Sequence, residues 1–109
     1  MKLLILLFSS IVLASPQGIP VESQATCGTS NSLLLAANNN RAYWLIQNNG
    51  SDTTGNCRIK VNGNAITGSE GFVVKSGQNW DSNIAYVKKA VYCKCDSDSQ
   101  TIELLESNY

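Results

Sequence analysis

Four cysteines constrain the fold of this chain more than any other feature of its sequence: Cys27, Cys57, Cys93 and Cys95. Cys93 and Cys95 are two residues apart, so in a β-strand they would point to the same face about 6.6 Å from each other, near the upper limit for a disulfide. Of the three connectivities that four cysteines allow, we therefore favour those in which each of these two pairs with Cys27 or Cys57. Zinc binding is a weak alternative, because the sequence contains no histidine.

The N-terminal sequence MKLLILLFSSIVLAS has the pattern of a cleavable signal peptide. Lys2 supplies the positive charge, an apolar run follows, and Val12-Leu13-Ala14 is a small-residue cleavage signal. The run is too short to span a membrane, which needs about 20 apolar residues. We therefore predict a secreted, extracellular protein without membrane insertion, and an oxidising export route favours two disulfides.

The chain divides into three segments: a signal peptide at residues 1–14, a flexible leader at 15–24 and a single domain at 25–109. The leader is inferred from its two prolines and from the absence of apolar periodicity. The full chain has eight basic and eight acidic side chains, and the signal carries one of the basic ones, Lys2, so the mature domain is almost neutral. This charge gives no reason to expect nucleic acid as a partner.

Short apolar runs alternate with turn-forming residues along the rest of the chain. The runs lie at residues 32–37, 42–47, 57–61, 71–75, 84–87, 90–95 and 101–105. Asn, Gly, Ser and Asp fill the gaps, and no run reaches the 10–12 residues of an ordinary helix with a helical period. The pattern predicts an all-β protein, namely a small disulfide-stabilised antiparallel β-sandwich of six to eight short strands.

Residues of alternating character support this fold class. Within the run at 57–61, Cys57 and Ile59 share one face with Val61, while Arg58 and Lys60 share the other. The run at 90–95 places its two cysteines on one face in the same way. Because apolar faces of antiparallel strands pack inward, we expect the cysteines to lie between the two layers, where disulfides can tie the layers together.

The run at 42–47 is apolar on both of its faces. One face carries Ala42, Trp44 and Ile46, and the other carries Tyr43, Leu45 and Gln47. This composition indicates a central strand that is covered on both sides, or one whose outer face meets another chain. We interpret Trp44 as a core residue with Arg41 anchoring the start of the strand, whereas Tyr43 is equally suited to packing and to binding.

The segments SLLLAANNNRAYWLIQNNG, AVYCKC and TIELLES resemble small β-sandwich domains of tailed-phage virion proteins of the head-fibre and decoration type. The similarity extends over about residues 25–106 and is most specific at residues 33–50. It implies a compact, non-enzymatic β domain used for packing or attachment. In signal peptide, size and cysteine content the chain also looks like the small secreted effectors of filamentous fungi.

Trp80 lies in the polar stretch Gly77-Gln78-Asn79-Trp80-Asp81-Ser82, where no alternation is visible. We expect this stretch to be a loop, with Trp80, Asn79 and Asp81 as candidate binding residues together with Tyr43. Exposed tryptophans on loops often dominate the energy of an interface. The alternative is that Trp80 folds back and caps an open end of the sandwich.

Asn49-Gly50-Ser51 is an N-glycosylation sequon in an apparent turn, which makes Asn49 a candidate glycosylation site. Catalysis is the least supported class of function, because the chain has no histidine base and no nucleophile or phosphate-binding motif. We predict neither an enzyme nor a bound cofactor or metal.

The leading functional hypothesis is a secreted, effector-like or surface-binding protein whose loops at 49–56 and 77–83 meet a protein or glycan partner. A stiff scaffold reduces the entropy that is lost on binding. A second hypothesis is a structural subunit of an extracellular or virion assembly, which self-associates through strand edges or the Tyr43 face. A third is a carbohydrate-binding module that uses Trp80.

Overall fold

A computed structural model describes residues 19–51, 55–82 and 87–109 of the chain. This part contains eight strands and no helix. The strands are β1 (Val21–Cys27), β2 (Ser32–Leu35), β3 (Arg41–Asn48), β4 (Cys57–Lys60), β5 (Phe72–Val74), β6 (Asn79–Asp81), β7 (Val91–Cys95) and β8 (Gln100–Asn108). The predicted signal peptide and most of the predicted run at 84–87 lie outside the described residues.

The strands form two four-stranded sheets in which all pairings are antiparallel. Sheet one has the order β1-β8-β3-β6, and sheet two has the order β2-β7-β4-β5. Strands that are neighbours in sequence therefore mostly lie in different sheets, and the open edges of the sandwich are β1 and β2 on one side and β5 and β6 on the other. The prediction of a disulfide-stabilised antiparallel β-sandwich is confirmed.

The core lies between the sheets and consists of the inward-facing residues of every strand. Sheet one contributes Trp44, Ile46, Ile102 and Leu104, and sheet two contributes Ile59, Val74, Val91 and Cys93. The alternation that the sequence shows in β4 and β7 appears directly as alternating burial. Trp44 has no exposed surface, which confirms its interpretation as a core residue.

Both disulfides attach to β7. Cys27–Cys93 joins β1 of sheet one to β7 of sheet two, with Cα atoms 6.3 Å apart. Cys57–Cys95 joins two register partners of neighbouring strands within sheet two. The favoured pairing of Cys93 and Cys95 with the two distant cysteines is confirmed. Only one of the bridges ties the layers together, since the other links strands that are already paired.

The first strand begins inside the segment predicted to be a flexible leader. Residues 21–24 pair with residues 103–106 of β8, and their side chains are exposed. The prediction was wrong at these positions because β1 is held by main-chain hydrogen bonds to a strand about 80 residues away, and such bonds require no apolar periodicity in the sequence.

A buried arginine fixes the start of β3. Arg41 has no exposed surface, and its Nε donates to Glu106 Oε2 at 2.9 Å. Its terminal nitrogens donate to the main-chain oxygens of Ala36, at 2.5 Å, and of Lys89, at 3.3 Å. A buried guanidinium is stable when its donors are satisfied in this way. Arg41 therefore anchors the strand entrance, as the sequence indicates.

Candidate binding site at the open edge of the sandwich

Residues 72–81, which we call the arch, connect the two sheets at one edge of the sandwich. The arch consists of β5 at the edge of sheet two, a turn at residues 75–78, and β6 at the edge of sheet one. Gly77 lies in the turn with φ of +84°, a conformation that glycine adopts without strain. The arch thus connects the two sheets directly across the mouth of the core.

Three aromatic rings lead from the core to the surface of the arch. Trp80 is the register partner of Ile46 and Phe72 is the partner of Ile59, so both side chains start from the inner side of their strands at the open edge. The Trp80 ring lies 5.9 Å from the Trp44 ring in an edge-on arrangement and 5.2 Å from the Phe72 ring. Trp44 is fully buried, Trp80 is partly buried, and Phe72 is 64% exposed.

The position of Trp80 differs from the loop that the sequence suggested. It lies in strand β6 and packs against the core, so it caps the open edge as the alternative interpretation proposed. The sequence did not reveal this strand, because it has only three residues and two of them are polar. Phe72, which sequence reasoning did not single out, is the ring that reaches solvent.

The four predicted binding residues do not form one cluster. Asn79 and Asp81 alternate with Trp80 along β6, and their register partners are Gln47 and Leu45 of β3. They therefore belong to the outer face of sheet one, the face that also carries half-buried Tyr43. Asn79 is exposed at the boundary between this face and the arch.

A cleft of about 600 Å³ follows the arch. It is lined by Phe72, Val73, Val74, Gly77, Gln78, Asn79 and Trp80. The lining combines aromatic and aliphatic surface with two amide side chains, which can both donate and accept hydrogen bonds. Such a surface can bind an apolar group flanked by hydroxyls or amides, as sugars and peptides offer.

Asn48, at the end of β3, holds the arch in place from beneath. It is 1% exposed, and its Nδ2 donates to the main-chain oxygens of Val74, at 2.8 Å, and of Gly55. Its main-chain N–H donates to the main-chain oxygen of Gln78 at 2.9 Å, and its carbonyl accepts from the N–H of Gly77 at 2.7 Å. The side chain of Asn48 thus fixes strand β5, and its main chain fixes the turn of the arch.

The turn at residues 48–51 lies beside the arch. Asn48 Oδ1 accepts from the N–H of Gly50 at 2.8 Å, and the hydroxyl of Ser76 donates to the carbonyl of Gly50 at 2.7 Å. The two loops predicted to meet a partner, at 49–56 and 77–83, are therefore neighbours, although residues 52–54 and 83 lie outside the described part. Asn49 of the sequon is exposed in this turn.

A second loop crosses the outer face of sheet two, and we call residues 62–71 the strap. Lys60 Nζ donates to Glu70 Oε1 at 2.6 Å and Lys94 Nζ donates to the carbonyl of Gly68 at 3.2 Å. The Lys60 hydrogen bond, followed by one from the N–H of Thr67, lowers the pKa of Glu70 from 4.5 to about 2. The strap is therefore attached to the sheet by cations of the strands beneath it.

The described part of the chain contains neither a candidate metal site nor a candidate membrane-spanning helix. No group of three or more His, Cys, Asp or Glu side chains there is arranged to hold a metal ion. None of the described residues forms a helix with the length and apolarity to cross a membrane.

The chain matches no protein-family model, and no curated protein sequence matches it. The functional interpretation therefore depends on the geometry of the arch and of the two sheet faces.

Proposed function

We propose that this chain is a secreted interaction protein that binds a protein or glycan partner through the arch, without performing chemistry. The observation that carries the proposal is the exposed Phe72 ring. Trp80 packs against it from within, and Asn48 holds the main chain of the arch after it, at Val74, Gly77 and Gln78. Large apolar rings on a rigid support are the residues that most often supply binding energy at interfaces.

Export is part of the proposal and is supported by the disulfides. Two bridges in a domain of this size fit an oxidising extracellular environment and stiffen the scaffold beneath the arch. The signal-like N-terminus agrees with the same compartment. These features fit an effector-like role, in which a small exported domain binds its partner through one edge.

The test compares two exposed apolar residues on opposite edges of the sandwich. Phe72→Ala removes the exposed ring of the arch, and Leu33→Ala removes a side chain that is 52% exposed on β2. Both variants and the wild type, biotinylated at the N-terminus, are applied to arrays of extracellular proteins and of glycans. We expect at least one partner whose binding falls about tenfold or more with Phe72→Ala and is retained with Leu33→Ala. Equal binding by both variants to every partner would contradict the role of the arch.

Carbohydrate binding is the second candidate, and the amides of Gln78 and Asn79 beside the aromatic rings favour it. Sugar rings place their C–H groups on aromatic faces and their hydroxyls on amides. Titration of the wild type with soluble oligosaccharides, followed by tryptophan fluorescence, distinguishes the candidates. A saturable change that Phe72→Ala and Asn79→Ala each weaken would identify a glycan as the ligand, whereas no change with any sugar would leave a protein partner.

A further inference from the structure

The chain contains two Asn-Gly pairs, Asn49-Gly50 in the turn beside the arch and Asn62-Gly63 at the start of the strap. In such a pair the main-chain nitrogen of the glycine can attack the side-chain amide carbon, Cγ, of the asparagine. Glycine favours this attack because it has no side chain that obstructs the nitrogen or restricts the main chain. Both asparagines are exposed, so exposure alone does not distinguish the two pairs.

The main-chain nitrogen of Gly50 is engaged and its turn is fixed. Its N–H donates to the buried Asn48 Oδ1 at 2.8 Å. Removal of that proton would leave a negative nitrogen facing a carbonyl oxygen. The N–H of Asn49 donates to the carbonyl of Thr101 at 2.9 Å, and the carbonyl of Gly50 accepts from the hydroxyl of Ser76 at 2.7 Å. Rotation of this turn into the geometry of attack would break several hydrogen bonds.

The second pair has the opposite surroundings. The N–H of Gly63 takes part in none of the hydrogen bonds among the described residues. A Cβ at Gly63 would meet only the side chain of Lys89, at 3.5 Å, so the main chain has room to turn. Asn62 Oδ1 accepts from the N–H of Asn64 at 3.1 Å. That hydrogen bond draws electron density from Cγ and stabilises the negative charge that develops on Oδ1 during attack.

We propose that Asn62 is a site of spontaneous deamidation and that the fold protects Asn49 from the same reaction. Base removes the proton of the Gly63 N–H, and the nitrogen forms a bond to Cγ of Asn62. The bond from Cγ to the side-chain amide nitrogen breaks, which releases ammonia and leaves a cyclic succinimide. Water then opens the ring at either carbonyl and gives aspartate or isoaspartate at position 62. Water is the one co-reactant that the sequence of steps consumes.

The modification changes the surface beside the arch. Asn62 lines a cleft of about 270 Å³ together with Lys60 and Phe72. Either product places a new carboxylate in this cleft, and isoaspartate also lengthens the main chain of the strap by a methylene group. The modified molecules therefore form a distinct population whose share grows with the age of the protein. The reaction itself does not depend on the function proposed for the arch.

The test follows both pairs in one sample. The oxidised chain, produced in a bacterial host so that Asn49 carries no glycan, is incubated in mildly alkaline buffer made with heavy-oxygen water, which labels the carboxyl groups that form. After reduction, trypsin separates the pairs, since Asn49 falls in peptide 42–58 and Asn62 in peptide 61–75. We expect Asn62 to be converted about tenfold or more faster than Asn49, a difference of about 1.4 kcal/mol in activation free energy. Equal rates, or a faster Asn49, would overturn the proposal.

The same incubation in urea, with the disulfides reduced, isolates the effect of the fold. Both glycine nitrogens are then free of their native surroundings, and the two rates should become similar. A difference that persists unchanged in urea would come from the neighbouring sequence and would refute protection by the fold.

Asn62→Gln identifies the reacting residue, because attack on the amide carbon of glutamine closes a larger ring and is slower. This variant should lose the label from peptide 61–75 and keep the wild-type rate at Asn49. Label that persists in peptide 61–75 would come from Asn64 and would overturn the assignment. None of these measurements requires a binding partner, so their outcome is independent of the Phe72→Ala test.

Discussion

Replacement of Asn48 tests whether one buried side chain holds the arch in place. Asn48→Ala removes three side-chain hydrogen bonds, two donated to Val74 and Gly55 and one accepted from Gly50. Each bond contributes about 0.5–1.5 kcal/mol net, and a buried carbonyl left without a donor costs about 1–3 kcal/mol. We therefore expect the free energy of unfolding to fall by about 3 kcal/mol, or about 12–24 °C in thermal midpoint for a domain of this size.

Two further variants make the reasoning specific. Asn48→Asp keeps the shape and the acceptor but replaces the donor with a carboxylate oxygen facing two carbonyls, so it should destabilise the protein at least as much as alanine does. Asn49→Ala changes the exposed neighbouring asparagine and should stay within about 0.5 kcal/mol of the wild type. Denaturant unfolding of the oxidised variants gives these values. An Asn48→Ala protein as stable as Asn49→Ala would refute the role assigned to this side chain.

The remaining predictions concern the aromatic rings, the strap and the turn before β8. Trp44→Ala should lower the free energy of unfolding by about 3–5 kcal/mol. Trp80→Ala should lower it by a smaller amount, because the Trp80 side chain is only partly buried. Equal losses in denaturant unfolding would contradict this order. NMR titration should place the pKa of Glu70 near 2 and show it rising towards 4.5 in Lys60→Gln. Because the pKa of Glu70 is lowered in the folded state, its contribution to the free energy of unfolding is present above pH 4.5 and is lost as the pH falls towards 2. Ser99 has φ of 60°, so Ser99→Gly should raise the free energy of unfolding by up to about 1 kcal/mol, and a loss of stability would contradict this.

The sandwich itself could be predicted because its determinants are local. Alternation in residues 57–61 and 91–95 identifies inward and outward faces within a few positions, and the spacing of Cys93 and Cys95 disfavours a bridge between them. The same period places Trp44 and Ile46 on one face of their strand. These features need no knowledge of which strands are neighbours.

The site could not be predicted because its determinants are long-range. The exposure of Phe72 depends on β5 being an edge strand, and the packing of Trp80 depends on β6 lying beside β3. The bonds of Asn48 reach carbonyls 7 and 26 residues away.

The attachment of both disulfides to β7 has a consequence for cleavage by proteases. Any single cut between residues 28 and 92 leaves two fragments that are still joined by Cys27–Cys93. A cut between residues 58 and 92, which includes the strap and the arch, leaves them joined by both bridges. Exposed loops are where proteases act first. The strap or the arch can therefore be nicked without separation of the two fragments.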